Sequence, residues 1–97
     1  MTKLQDEHID RLFQAILSLR DVAECYRFLE DLCTVAELKA MAQRLQVAAM
    51  LDGQQIYTEI EQKTGASSAT ISRVNKCLHY GEDGYRVVLD RMREKNS

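Results

Sequence analysis

No proline occurs in this chain, and glycine fills only four of its 97 positions. Both residues break regular structure, so their scarcity predicts an almost wholly helical chain interrupted at a few defined points. No apolar run approaches the 18 residues that a membrane-spanning helix needs, which excludes that class. The opening MTKLQDEHID is too acidic and polar for a signal peptide, so a cytoplasmic location is expected. Cysteine is sparse and odd in number: Cys25, Cys33 and Cys77, with no CxxC pair. Each falls at an apolar helical position, which predicts buried, reduced thiols rather than a disulfide framework. Cys77 and His79 lack the ligand spacing of known zinc fingers, so no metal is expected.

Catalytic groups are equally thin. His8 and His79 are remote from each other and lie in no nucleophile or metal motif. Glu59 and Glu61 are two apart, so on a helix they point different ways and cannot act as a paired acid and base. Gly81 and Gly84 flank acids, which would repel a phosphate rather than cradle it. The chain is not expected to be an enzyme or to need a cofactor.

What is present is a modest core and strong helical periodicity. With 45% hydrophobic and 29% charged residues, 97 residues suffice for one folded domain and argue against disorder. Ile9, Leu12, Phe13, Ile16 and Leu17 mark a first helix over roughly 5–19. Asp21 is placed to cap a second, carrying Val22, Cys25, Tyr26, Leu29 and Leu32 and running to about Cys33. Thr34 and Glu37 form a T-x-x-E capping box that opens a third, the clearest helix start in the chain. Its apolar positions are Leu38, Met41, Ala42, Leu45, Ala48, Met50 and Leu51, and Asp52-Gly53 ends it. A last helix follows the loop 80–84 through Tyr85, Val88, Leu89 and Met92. Its basic end, Arg91, Arg93 and Lys95, suits the helix dipole. The first two helices carry more large apolar residues than a thin layer over one small domain requires. Two copies sharing those helices would account for the surplus; the alternative is a monomer whose six helices wrap one core.

Residues 53–78, GQQIYTEIEQKTGASSATISRVNKCL, read as a helix-turn-helix spanning about 54–79. Ile56 and Ile60 are four apart and are expected to anchor the first helix on one face. Gly65 supplies the left-handed residue that the turn needs, and Ser67 or Ser68 can cap the second helix. Ile71, Val74 and Leu78 form an inward stripe, leaving Ser68, Ala69, Ser72, Arg73 and Lys76 outside. Between Thr64 and Gly81 there is no carboxylate. Glu61, four before the glycine, departs from the small residue usual there.

The overall charge is −2, whereas DNA-binding domains are commonly basic. Its distribution is uneven. Residues 1–37 hold eight acids against four bases, and residues 38–97 hold nine bases against seven acids. The positive surplus therefore accompanies the helix-turn-helix.

Thr34 to Leu78 resembles the tryptophan repressor superfamily, and the likeness extends more weakly along nearly the whole chain. Leu32-Cys33-Thr34, Arg44-Leu45, Tyr57-Thr58-Glu59-Ile60 and above all Gly65 to Arg73 carry it. Leu78-His79-Tyr80-Gly81 and Asp83-Gly84-Tyr85 look like the small YerC/YecD-type branch. The resemblance implies a bacterial, all-α, six-helix regulator that forms an intertwined homodimer and acts on transcription by binding an operator. It also places Thr34, Arg44, Arg73, Val74 and Cys77 at the positions of an effector pocket. Val74 stands where the repressor has glycine beside the indole, and Cys77 where it has serine. Val74 also belongs to the inward stripe, so tryptophan is not expected as corepressor; an unidentified small-molecule effector is left open.

The leading expectation is a homodimeric, sequence-specific regulator, a repressor of transcription, on a near-palindromic site in double-stranded DNA. Ser67, Ser68 and Ala69 are expected near base edges, with Ser72 behind them. Thr70, Arg73 and Lys76, with Tyr57 and Thr58 from the first helix, are expected at the backbone. The alternative is a helical dimer that holds another protein by the same surface, as Asp52, Glu59 and Glu61 would favour.

Overall fold

The computed structural model describes residues 6–95, which form helices α1 (Glu7–Leu17), α2 (Val22–Leu32), α3 (Val35–Asp52), α4 (Tyr57–Thr64), α5 (Ser68–Tyr80) and α6 (Gly84–Lys95). No strand occurs among the described residues. The backbone divides into two compact units, residues 1–38 and 39–97.

Side-chain caps fix every helix start in the first unit. The Asp6 carboxylate accepts from the Ile9 N–H and that of Asp21 from the Glu24 N–H, each at 2.8 Å. Both aspartates have the extended backbone of an N-cap. The box at Thr34 is reciprocal. The Thr34 N–H donates to Glu37 Oε1 at 2.8 Å, and the Glu37 N–H donates to Thr34 Oγ1 at 3.1 Å. The bond from the Thr34 amide favours the ionised carboxylate and holds Glu37 below its ordinary 4.5. Helix α1 is shorter than its periodicity suggests: Asp6 caps it, and the Ser18 hydroxyl closes it by donating to the Ala15 carbonyl at 2.6 Å. Gln5 lies outside the described residues.

Neither α1 nor α2 buries a side chain. Phe13, Leu17, Val22, Tyr26 and Leu32 stand exposed, Leu17 by 83%. The expectation of buried thiols fails. Cys25 shares the uncovered stripe of α2 and is exposed, while Cys33 is the half-buried C-cap of that helix. Cys77, one residue short of the inward Leu78 on α5, is exposed too. All three are free thiols.

The second unit has a closed core. Val47, Ala48 and Met50 of α3 meet Ile60 of α4, Ala66, Ile71 and Val74 around α5, and Leu89 of α6. Leu45, Leu51, Leu78 and Tyr85 pack against them. Val47, absent from the expected stripe, is wholly buried, whereas Met41 and Ala42 are exposed. Only the later half of α3 serves this core. Asp52 then pairs with Arg86 and Arg93 of α6, and Arg86 reaches Asp90 at 3.5 Å. The residue that ends α3 thus also ties down α6. Beyond Gly53 the chain reverses through Gln54, a non-glycine residue at φ 63°.

Candidate DNA-binding surface

Helices α4 and α5 pack on each other, and α5 packs on α6. Ile60 anchors α4 from within the core, but Ile56 does not: it is 61% exposed. Ile56 is the N-cap of α4, with extended backbone, so the four-residue helical spacing never applies to it. Gly65 closes α4 in the left-handed region at φ 74°, its N–H donating to the Glu61 carbonyl at 2.9 Å. Glu61 itself is half-buried in the position where a small residue is usual. Ser67 rather than Ser68 caps α5, accepting from the Thr70 N–H at 3.1 Å. Gly81 ends the helix, and a Cβ there would run into the Cys77 carbonyl.

Ser68, Ala69, Ser72, Arg73 and Lys76 are all exposed along α5, with Ile71 and Val74 buried behind them. The start of α5 has neither an acidic residue in its first turn nor a large side chain. Small groups come first and the cations sit one to two turns on, so the N-terminal end is the part that can approach another surface most closely. Tyr57 and Thr58, in the first turn of α4, are exposed. Two expected contact residues are partly committed elsewhere. Ser67 Oγ donates to Thr70 Oγ1 at 3.1 Å while accepting from the Thr70 amide, which leaves Ser67 one lone pair for an outside donor. Thr70 is half-buried and has accepted that bond.

The residues expected at an effector pocket are less alike. Thr34 belongs to the first unit and has its amide and hydroxyl engaged in the capping box. In the second unit Arg44, Arg73 and Cys77 are exposed, whereas Val74 is 1% exposed and part of the core. An open recess of about 290 Å³ in this unit is lined by Leu51, Asp52, Gln54, Leu78, His79 and Arg86, and by none of those four. Among the described residues no helix is long and apolar enough to cross a membrane. No three His, Cys, Asp or Glu side chains among them gather as metal ligands would.

Sequence reasoning overlooked Gln43 and Thr64. The Gln43 amide donates to the Thr64 carbonyl at 3.1 Å, across 21 residues of sequence. The Thr64 hydroxyl donates to the Ile60 carbonyl at 2.7 Å and accepts from the Ala66 N–H at 3.1 Å. Gln43 stands four residues before Val47, on the face of α3 that enters the core, but Val47 was absent from the expected stripe, so the sequence carried no signal for it.

An uncharacterized protein from Bacillus subtilis, YerC, is 55% identical over 92 residues, covering 95% of this chain and 88% of its own length. The solved structure of a candidate Trp repressor from Staphylococcus aureus superposes with a TM-score of 0.90 at 52% identity, covering 94% of this chain and 91% of that one. A TrpR-like protein from Eubacterium eligens gives the same TM-score, 0.90, and the same 52% identity, covering 93% of each chain. The Trp repressor protein family itself matches over residues 7–93, and the chain belongs to that family.

Proposed function

We propose that this protein is a homodimeric, sequence-specific DNA-binding regulator that represses transcription from a near-palindromic operator. The observation that carries the reading is the outward face of α5. It is exposed from Ser68 to Lys76, free of carboxylates from Thr64 to Gly81, and backed by a rigid core. Such a face suits major-groove entry by its N-terminal end. Ser68 and Ala69 approach base edges, Ser67 offers its remaining lone pair and Ser72 stands behind; Thr70, Arg73 and Lys76, with Tyr57 and Thr58, meet the backbone. The bare apolar stripe of α1 and α2 supports a second copy as its cover, since a soluble monomer seldom leaves so much contiguous apolar surface in water. Two α5 helices related by a two-fold axis would then read half-sites roughly 34–36 Å apart.

Tryptophan is not the corepressor in this reading. The resemblance sets Val74 at the repressor's glycine beside the indole and Cys77 at its serine, and Val74 is buried in the core here. Thr34, Arg44, Arg73, Val74 and Cys77 leave the identity of any effector open.

Binding selection from a random oligonucleotide pool, with and without added amino acids, tests the reading. An enriched inverted repeat is the expected result, unaltered by L-tryptophan. No retained DNA at low salt and micromolar dimer would instead favour a protein partner for this face.

A further inference from the structure

Resting on the DNA-binding reading, we infer that Gln43 is a specificity-determining positioning residue, which fixes the pose of α5 through the backbone of the turn without touching DNA. The last carbonyls of a helix have no partner inside it and commonly go to water or to a cap. Here the Thr64 carbonyl in the final turn of α4 accepts instead from the Gln43 side chain, at 3.1 Å. Gln43 lies on α3 one turn before Val47, which is completely buried, so it sits on the face of α3 that enters the core of the second unit. The link continues through the turn. Thr64 Oγ1 donates back to the Ile60 carbonyl and holds the Ala66 N–H at 3.1 Å; Ala66 is buried, and Ser67 caps α5 immediately after it.

Three residues separate the anchored carbonyl from the first residue of α5. Gly65 between them, in the left-handed region, offers the turn its freest backbone torsion. Without the anchor, rotation about that torsion would tilt α5 on its core contacts. Contacts to base edges demand placement within about 0.5 Å and 10–20°, whereas phosphate attraction tolerates far more. The bond therefore governs discrimination between sequences more than general affinity.

The test compares the full-length dimer with Gln43→Leu, which keeps the volume and removes the donor, and with Thr64→Val, which keeps the carbonyl bond but frees the Ala66 amide. Binding to the selected operator and to random duplex is measured well below the unfolding temperature, alongside amide exchange at Ala66 and Thr70. Losing one such bond should lower the operator-to-random affinity ratio by about 3- to 10-fold. Random-duplex affinity and the salt slope should stay as in the parent, and exchange at Ala66 should quicken. A purely structural role would lower thermal stability and leave the ratio alone. An unchanged ratio in Gln43→Leu, beside a parent that binds its operator specifically, would overturn the inference while leaving the DNA reading intact. A parent that binds no DNA would overturn both. Should Gln43→Leu fail to fold, Gln43→Met, which also removes the donor, decides by the same ratio.

Discussion

The two units of this chain are both built from helices and end in opposite states, and the more strongly amphipathic helices are the ones left uncovered. In the second unit four helices close on Val47, Ile60, Ile71 and Val74, each at most 1% exposed. In the first, α1 and α2 are well capped and bury nothing. Caps and periodicity form a helix in both; only the second supplies the facing surface that turns an apolar stripe into a core. The charges divide in the same place, with acids in surplus before residue 38 and bases after it. One unit thus closes a core of its own and carries the surplus of cations, and the other leaves its apolar stripes uncovered.

The widest separation between the units comes from placing charges on the bare stripe. Leu17→Asp with Tyr26→Asp should abolish the proposed dimer, because each fully covered side chain of this kind contributes about 1.5–3 kcal/mol and a buried carboxylate costs more. Sedimentation should report a monomer while amide protection around Val47 and Ile71 persists. A dimer of unchanged mass would show that the stripe is not the shared surface.

Next in size is the corresponding lesion in the second unit. Ile71→Ala removes a side chain with no exposed surface and should cost about 2–5 kcal/mol, depending on how far the core collapses. The loss should be independent of protein concentration in chemical denaturation. Phe13→Ala in the first unit should instead act mainly through association, so its cost should depend on concentration. Equal dependence in both variants would erase the distinction drawn between the units.

A smaller effect separates the charges. Arg73→Ala should weaken binding to all DNA sequences alike and flatten the salt slope by about one. Arg27→Ala, an exposed cation of the acidic unit, should leave that slope untouched. If the Arg73 variant loses only sequence preference, the arginine reads bases rather than phosphate.

Local chemistry made much of this legible in advance. Asp21, Thr34 with Glu37, Gly65 and the Ser67 cap are decided within four residues of sequence, and each stands where its chemistry places it. Burial was harder to read because it depends on what arrives from elsewhere. Ile56 and Ile60 have the spacing of neighbours on one face, yet Ile56 precedes the helix and stays in solvent. Cys25 lies on a genuine apolar stripe, but a stripe does not announce whether its own unit covers it. Val47 was missed because α3 changes its inward face partway, when its first half leaves the core. The exposed set of α5 was readable as a pattern. Its support by Gln43 and Thr64, 21 residues apart, was not, since no local rule pairs a glutamine with a distant carbonyl.

The smallest effect lies where local order is strongest, at the capping box of the first unit. Glu37 is depressed below 4.5 because the Thr34 amide, and then its hydroxyl, bond the charged carboxylate. A lowered folded value means the unfolded chain binds the proton more readily. The stabilisation is therefore complete above the unfolded value and is lost as pH falls through the folded one. Amide exchange at Thr34, corrected for its intrinsic acid dependence, should accordingly quicken only below about pH 4.5. Glu37→Gln keeps a side-chain acceptor in the box and carries no titrating proton, so it should remove that pH dependence while leaving most of the protection. Over the same range Thr70, whose amide is capped by a neutral serine in the second unit, should show no comparable step. A parallel step at Thr70 would mean that acid loosens both units together, not that a single carboxylate releases the start of α3.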